Sequence, residues 1–274
     1  MVTGLSLNIT ERIPEAVCEL PPSLAELHLA WNVIPGEFPK FLYNCSNLEV
    51  LDLSQNYFVG PIPPDIHRMS PSLKYLDLGG NNFYGNIPAA IGRLTELRTL
   101  KVYLNLFNGS VPWEIGNLSN LEIFEMPYNG NLAAASIPTE FGNLKKLKSL
   151  WMTDTNLIGE IPESFSGLSN LENLNLAGNN LEGKIPGGLF LLKNLSELFL
   201  FDNKFSGEIP PAVEASNLSQ IDLCMNNLSG SIPQDFGKIK NLTVLNFESF
   251  FESINGWDSG EFRPNSGDEG ISGF

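Results

Sequence analysis

The chain has 274 residues, of which 42% are hydrophobic and 17% charged, with 31 acidic against 16 basic side chains and a formal charge of −15. This describes a folded chain with ample length for a core, and its acidity argues against nucleic acid and anionic membrane surfaces as partners. No run of 18 apolar residues is present to span a membrane, and the opening "MVTGLSLNITERIPEAV" lacks the basic start and unbroken apolar stretch of a secretory signal.

Taken in chain order, the elements repeat. A degenerate copy runs through Val2, Leu5 and Leu7. Full copies of L-x-x-L-x-L begin at Leu24, Leu48, Leu73, Leu97, Leu121, Leu147, Leu171, Leu195, Leu218 and Leu242, spaced 23 to 26 residues apart. Each L-x-L predicts a short strand with its leucines inward and the residues between them outward, because side chains alternate along a strand. Asn32, Asn56, Asn81, Asn105, Asn129, Asn179, Asn203 and Asn226 follow the strands at one offset. Buried there, each can bond backbone groups of its own and the neighbouring coil. A glycine and an apolar-Pro pair then turn the chain back. One copy cannot bury its leucines alone, so the copies are expected to stack into one solenoid over residues 1–247.

Two places depart from the pattern. Thr155 replaces the asparagine, and nine residues rather than the usual seven (Asn56 to Pro63) separate Asn129 from Pro138. A bulged outer loop is expected there, with the strands on either side still in register. Beyond the last copy, residues 248–274 hold six acidic residues and one basic one among many Gly and Ser, and read as a disordered tail.

Catalytic chemistry is scarce. "GNNLEGKI" (178–185) matches the first seven places of a phosphate-binding loop, but Ile185 stands where Ser or Thr must hold magnesium, and its glycines belong to the repeat. His28 and His67 have no Cys or Glu at metal spacing and no nucleophile to serve. Cys18, Cys45 and Cys224 are too few for a disulfide framework and read as isolated buried thiols. No enzyme, cofactor or metal site is expected. N-x-S/T sequons occur at Asn8, Asn44, Asn108, Asn117, Asn194, Asn217, Asn227 and Asn241. Some come with the repeat itself, but eight together fit a secreted glycoprotein.

The segments "LYNCSNLEVLDLSQNYFVGPIPPDI" (42–66), "EFGNLKKLKSLWMTDTNLIGEIPESF" (140–165) and 190–238 carry the consensus of the plant-specific leucine-rich repeat. They resemble the ectodomains of HAESA-like receptor kinases. The resemblance implies an α/β-type repeat solenoid, a curved right-handed superhelix with a parallel β-sheet on its concave face. It also implies a module at the extracellular face of the plasma membrane that binds a small secreted peptide and recruits a co-receptor kinase ectodomain. Against that pattern, the chain shows no signal peptide, cysteine-paired cap, membrane span or kinase, and no match to the paired arginines with which some members read a peptide carboxylate. It therefore reads as a truncated copy.

The residues that vary between and after the leucines face the concave side, where aromatics are flanked by carboxylates. Tyr103, Glu125, Tyr128, Trp151, Thr153, Asp154, Phe199, Phe201 and Asp202 are the candidate ligand-binding residues. Glu125, Asp154, Glu197 and Asp202 against Lys101 predict attraction for a basic peptide. The aromatics, with Trp151 at mid-groove, predict its anchors. Two other readings stand beside this one. One is a secreted inhibitor of wall-degrading enzymes, of the polygalacturonase-inhibitor type, for which paired cap cysteines are expected. The other is a non-functional or decoy fragment.

Overall fold

The computed structural model describes residues 9–19 and 24–248. The tail expected at 248–274 therefore lies outside the described residues except for Glu248, as do Val2, Leu5, Leu7 and the sequon at Asn8.

Ten three-residue strands, from Glu26–His28 to Val244–Asn246, form one parallel sheet in strict chain order. The central apolar residue of each strand pairs with its counterpart one coil on. Leu51, Leu76, Leu100, Leu150, Leu174 and Leu198 are fully buried, as the alternation requires. Burying each leucine stabilises the coil stack by roughly 1.5–3 kcal/mol. On the opposite side short 3-10 helices, such as Ala89–Arg93 and Thr139–Asn143, begin after a proline whose fixed φ turns the chain. Strands stack about 4.8 Å apart whereas packed helical turns need more room, so the sheet takes the inside of the curve. A column of phenylalanines fills the space between, and Phe58 and Phe83 stack with centroids 6.1 Å apart.

The asparagine ladder ties coil to coil. In Asn56 the side-chain amide donates to Leu53 O and Ser54 O of its own turn and to Leu29 O of the previous coil, while Oδ1 accepts from Ile34 N. The pattern recurs at Asn81, Asn105 and Asn203. The ladder also fixes an unusual backbone. In most coils the residue before the rung lends its carbonyl to the rung N–H of the previous coil, as Gln55 O does to Asn32 N and Asp202 O to Asn179 N, while Asn105 N and Thr155 N donate to the next rung's Oδ1. The residue before the rung adopts positive φ in coil after coil: 59° at Trp31, 48° at Leu104, 62° at Tyr128, 52° at Asp154 and 55° at Asp202. Bulky side chains rarely occupy this region, so the ladder holds a strained turn that stands one side chain per coil at the rim of the concave face.

The insertion at 129–138 behaves as expected. Its exposed residues lie outside the sheet, and Ser149, Leu150 and Trp151 still pair with Ile123, Phe124 and Glu125. Its effect falls on the flank. The short strands beside the main sheet form two four-stranded sheets, one ending at Leu106–Phe107 and the other starting at Ile158–Gly159, with the loop between them. Thr155 Oγ1 bonds only to Met152 O in its own turn among carbonyls, and Asn156 supplies the lost link to the previous coil by donating to Leu132 O at 2.8 Å.

The cysteines correct the sequence reading. Cys18 and Cys45 are not isolated thiols but form a disulfide, with Cα atoms 4.9 Å apart. Cys18 lies in the helix Glu15–Glu19, and Cys45 directly follows the helix Lys40–Asn44 of the next coil. A separation of 27 residues, close to one period, therefore brings them side by side. The bond braces this coil against the next. Replacing both cysteines by serine is expected to lower the stability of the N-terminal coils by about 2–4 kcal/mol, because the covalent link restricts the unfolded chain. Repeats contact only their neighbours, so hydrogen exchange should rise in the first coils and remain unchanged beyond residue 100. Uniform loss of protection along the chain would contradict this. Among the described residues Cys224 is free; burial, with Asp222 beside it, pushes its thiol up to about 12.

Candidate concave-face site

The residue between the two leucines points outward in every coil, and strand pairing sets these positions in one row: His28, Asp52, Asp77, Lys101, Glu125, Trp151, Asn175, Phe199, Asp222 and Asn246. The row divides by chemistry. Where it holds Asp or Asn, the side chain turns back on its own coil. Asp52 accepts from Ser54 N, Asp77 from Gly79 N, Asn175 from Ala177 N and Asp222 from Cys224 N. These are turn-closing bonds of the kind short polar side chains make. Lys101, Glu125, Trp151 and Phe199 cannot make them. The side chains free to meet a ligand therefore concentrate between residues 101 and 202.

Two of the expected ligand residues are already engaged. The Tyr103 ring lies across Gly79, where a Cβ would overlap it, and reaches toward Gln55 and Ser54 two coils back. It plugs the face over a glycine pair rather than standing free as an anchor. Glu125 was expected to contribute negative charge. Instead Lys101 Nζ reaches its Oε2 at 2.8 Å, with both side chains mostly shielded from water, so the pair is close to neutral. The Lys101–Glu125 pair follows from the register, which places consecutive coils about 4.8 Å apart.

The remaining residues assemble around one coil. Trp151 packs edge-on against Tyr128, with centroids 6.2 Å apart and planes at 75°. Its Nε1–H donates to Thr153 Oγ1 at 2.7 Å, and the Thr153 hydroxyl donates in turn to Asn175 Oδ1 at 2.8 Å. Thr153 is buried and holds the indole. The next coil presents only short residues there: Asn173 and Asn175 from its strand, then Gly178 and the buried Ala177. The coil after that carries Phe199, Phe201 and Asp202, of which the two rings are half-buried and Asp202 is exposed. The short middle coil leaves a notch about two ladder spacings wide, roughly 10 Å, between Trp151 and Phe199. Asp154 leans over Gly178, where a side chain would collide with its carboxylate. Burial raises the Asp154 pKa, and the charge of Asp202 across the notch raises it further. Two carboxylates thus share the rim, unpaired with any cation in the ion pairs of the described residues.

Farther along the row, Asp77 is buried at 4% exposure. Burial pushes its carboxyl up to about 6, Asp52 adding to the shift against the Gly79 N–H and Lys101. The folded value lies above the ordinary 3.8. Its favourable contribution is therefore fully present below about pH 4 and lost as pH rises through about 6. Asp77→Asn, which keeps the acceptor for Gly79 N–H, is expected to stabilise the chain at pH 7.5 by on the order of 2 kcal/mol relative to pH 4.5. Melting curves of both proteins at the two pH values check this; a gap independent of pH would contradict it.

The family models give the decisive comparison. Leucine-rich-repeat models match residues 22–83 and then 146–168, 170–192, 194–215 and 217–239, together more than half of the chain. The chain belongs to the leucine-rich-repeat family. Among solved structures, this leucine-rich-repeat chain is similar to the ectodomain of the Arabidopsis receptor kinase HAESA in complex with an extended IDA peptide hormone. The two share 37% identity at a TM-score of 0.85, over 89% of this chain and 41% of that one. HAESA with IDA and the co-receptor SERK1 aligns at 35% identity and a TM-score of 0.82, over 90% and 43% of the two chains. The plant peptide hormone receptor RGFR1 in complex with RGF2 aligns at 34% and 0.81, over 87% and 38%. The chain thus spans about two fifths of the length of these ectodomains. No curated protein matches it. Among the described residues no helix is long and apolar enough to cross a membrane.

Proposed function

We propose that this leucine-rich-repeat chain is the extracellular ligand-recognition module of a plant receptor kinase, binding a small secreted peptide with basic character on its concave face. The observation that carries the reading is the notch between Trp151 and Phe199, with its braced indole, its rings on the far wall and the rim carboxylates of Asp154 and Asp202. An aliphatic stem ending in an ammonium or guanidinium matches that combination, the stem and charge against the rings and the charge between the carboxylates. The strand row offers an extended ligand one side-chain position per coil. HAESA and RGFR1, the similar ectodomains, are seen with peptide hormones, and HAESA also with a co-receptor. A co-receptor kinase ectodomain is accordingly the second partner we assign.

The Cys18–Cys45 disulfide supports an extracellular setting, since such bonds persist in oxidising compartments. It also withdraws the argument that unpaired cysteines exclude an enzyme inhibitor of the polygalacturonase-inhibitor type. The similarity to peptide-bound ectodomains favours the receptor reading over that one.

Rim charges act mainly on encounter, so Asp202→Lys is expected to lower the association rate for a basic peptide about tenfold at low salt and to flatten its salt dependence. Stopped-flow association in an intact ectodomain carrying these repeats measures this. An unchanged rate and slope would remove Asp202 from the site.

A further inference from the structure

The seven sequon asparagines within the described residues are all exposed, and Asn108 lies two residues before Ser110, which lines an open groove. The groove has a volume of about 910 Å³ and crosses four coils along the crease where the flanking sheet turns into the helical side. Its walls carry Asn86, Ser110, Trp113, Glu114, Thr139 and Glu140 over a floor of apolar-Pro pairs. It is open for a reason legible in the repeat. The residue before each apolar-Pro pair is short here: Pro61, Asn86, Ser110 and Ser136. In later coils the same place holds Glu160, Lys184 and Glu208, whose long side chains lie against Gly183, Gly207 and Gly230 of the following coil and cover the crease.

Asn108 precedes Ser110 of the groove wall by two residues, in a turn held from both sides. Its N–H donates to Gly85 O at 3.1 Å, and Gly109 O accepts from Ala133 N at 3.0 Å. The Asn86 side chain lies so close to Gly109 that any Cβ there would collide with it, which presses the turn onto the wall. Trp113, 52% exposed, opens the helix that follows. An exposed indole face beside amide, hydroxyl and carboxylate groups is the chemistry that holds a pyranose ring: the apolar sugar face stacks, and the ring hydroxyls find donors and acceptors.

We propose that Asn108 is N-glycosylated and that the first sugars of its glycan lie in this groove against Trp113. The modification forms a bond from Asn108 Nδ2 to the anomeric carbon of a lipid-diphosphate-linked oligosaccharide. The anomeric carbon–phosphate oxygen bond breaks, the amide loses one proton and the lipid diphosphate departs, under a membrane transferase of the secretory pathway. The inference rests on the secreted reading above. Its test supplies the secretory route and so separates the two.

The full 274-residue chain is placed behind a heterologous leader in insect cells, and the glycosylated protein is recovered from lumen and medium. Mass spectrometry of peptides gives occupancy. Timed digestion of the native protein with a glycan-releasing amidase gives the release rate at Asn108 and at Asn227, an exposed sequon in the flanking strand Asn227–Ser229. The expected result is an occupied Asn108 whose glycan leaves roughly three- to tenfold more slowly than that at Asn227, as one aromatic contact allows. Trp113→Ala, which removes an exposed side chain, should abolish the difference while Asn227 is unchanged. An unmodified Asn108, or equal release at the two sites in the wild-type chain, overturns the proposal, and that ratio decides it even if the variant fails to fold. Neither result bears on the concave face, which has its own test.

Discussion

Asn179→Ala is expected to destabilise the chain by about 3–5 kcal/mol, more than the same change at any outer rung. Asn179 is buried and its amide donates to Met152 O, Leu176 O and Ala177 O. Its Oδ1 accepts from the N–H of Thr155 at 3.1 Å and of Leu157 at 3.0 Å. Because the preceding rung is a threonine, Asn179 satisfies groups on both sides of the defect. Alanine would strand several buried polar atoms at once, each costing about 1–3 kcal/mol before relaxation. Asn32→Ala, at the half-buried first full coil, should cost about 1 kcal/mol. Urea midpoints of the two variants compare them. Equal losses would show that the ladder is not what couples coil to coil.

The second large effect falls on binding. Trp151→Ala is expected to weaken a cognate peptide by about 2 kcal/mol or more, close to thirtyfold, while leaving stability nearly intact. The indole faces the groove, packs edge-on against Tyr128 and is held by Thr153, so little of it must be ordered when a ligand arrives. That preorganisation makes Thr153→Val informative. It keeps the indole but removes its acceptor, and should cost about 1 kcal/mol of affinity. If Thr153→Val and Trp151→Ala bind equally well, the indole is not an anchor.

Much of this architecture could be read from the chain. The period, the buried leucines, the rungs and the loop at 129–138 follow from spacing and alternation alone. What escaped the reading was contact between residues one period apart. Cys18 and Cys45, like Lys101 and Glu125, look unrelated in sequence, yet stacking sets each pair side by side. Comparing every position with the one about 24 residues on would have found both. Tyr103 is different: its reach across Gly79 to Ser54 and Gln55 spans two coils and depends on a side-chain path that periodicity does not specify. The row of Asp and Asn residues also looked available for binding. Only their bonds to amides two residues on show that the turn consumes them.

The central claim is that the Trp151–Asp202 stretch recognises a basic side chain on an extended peptide. The most direct measurement exposes an intact ectodomain carrying these repeats, and its Trp151→Ala/Asp202→Lys variant, to a randomised library of linear peptides and sequences what each retains. The account predicts that the wild-type face enriches peptides with a Lys or Arg at one fixed position, and that the variant loses this enrichment. Identical retained pools, or wild-type enrichment for acidic peptides, would contradict it.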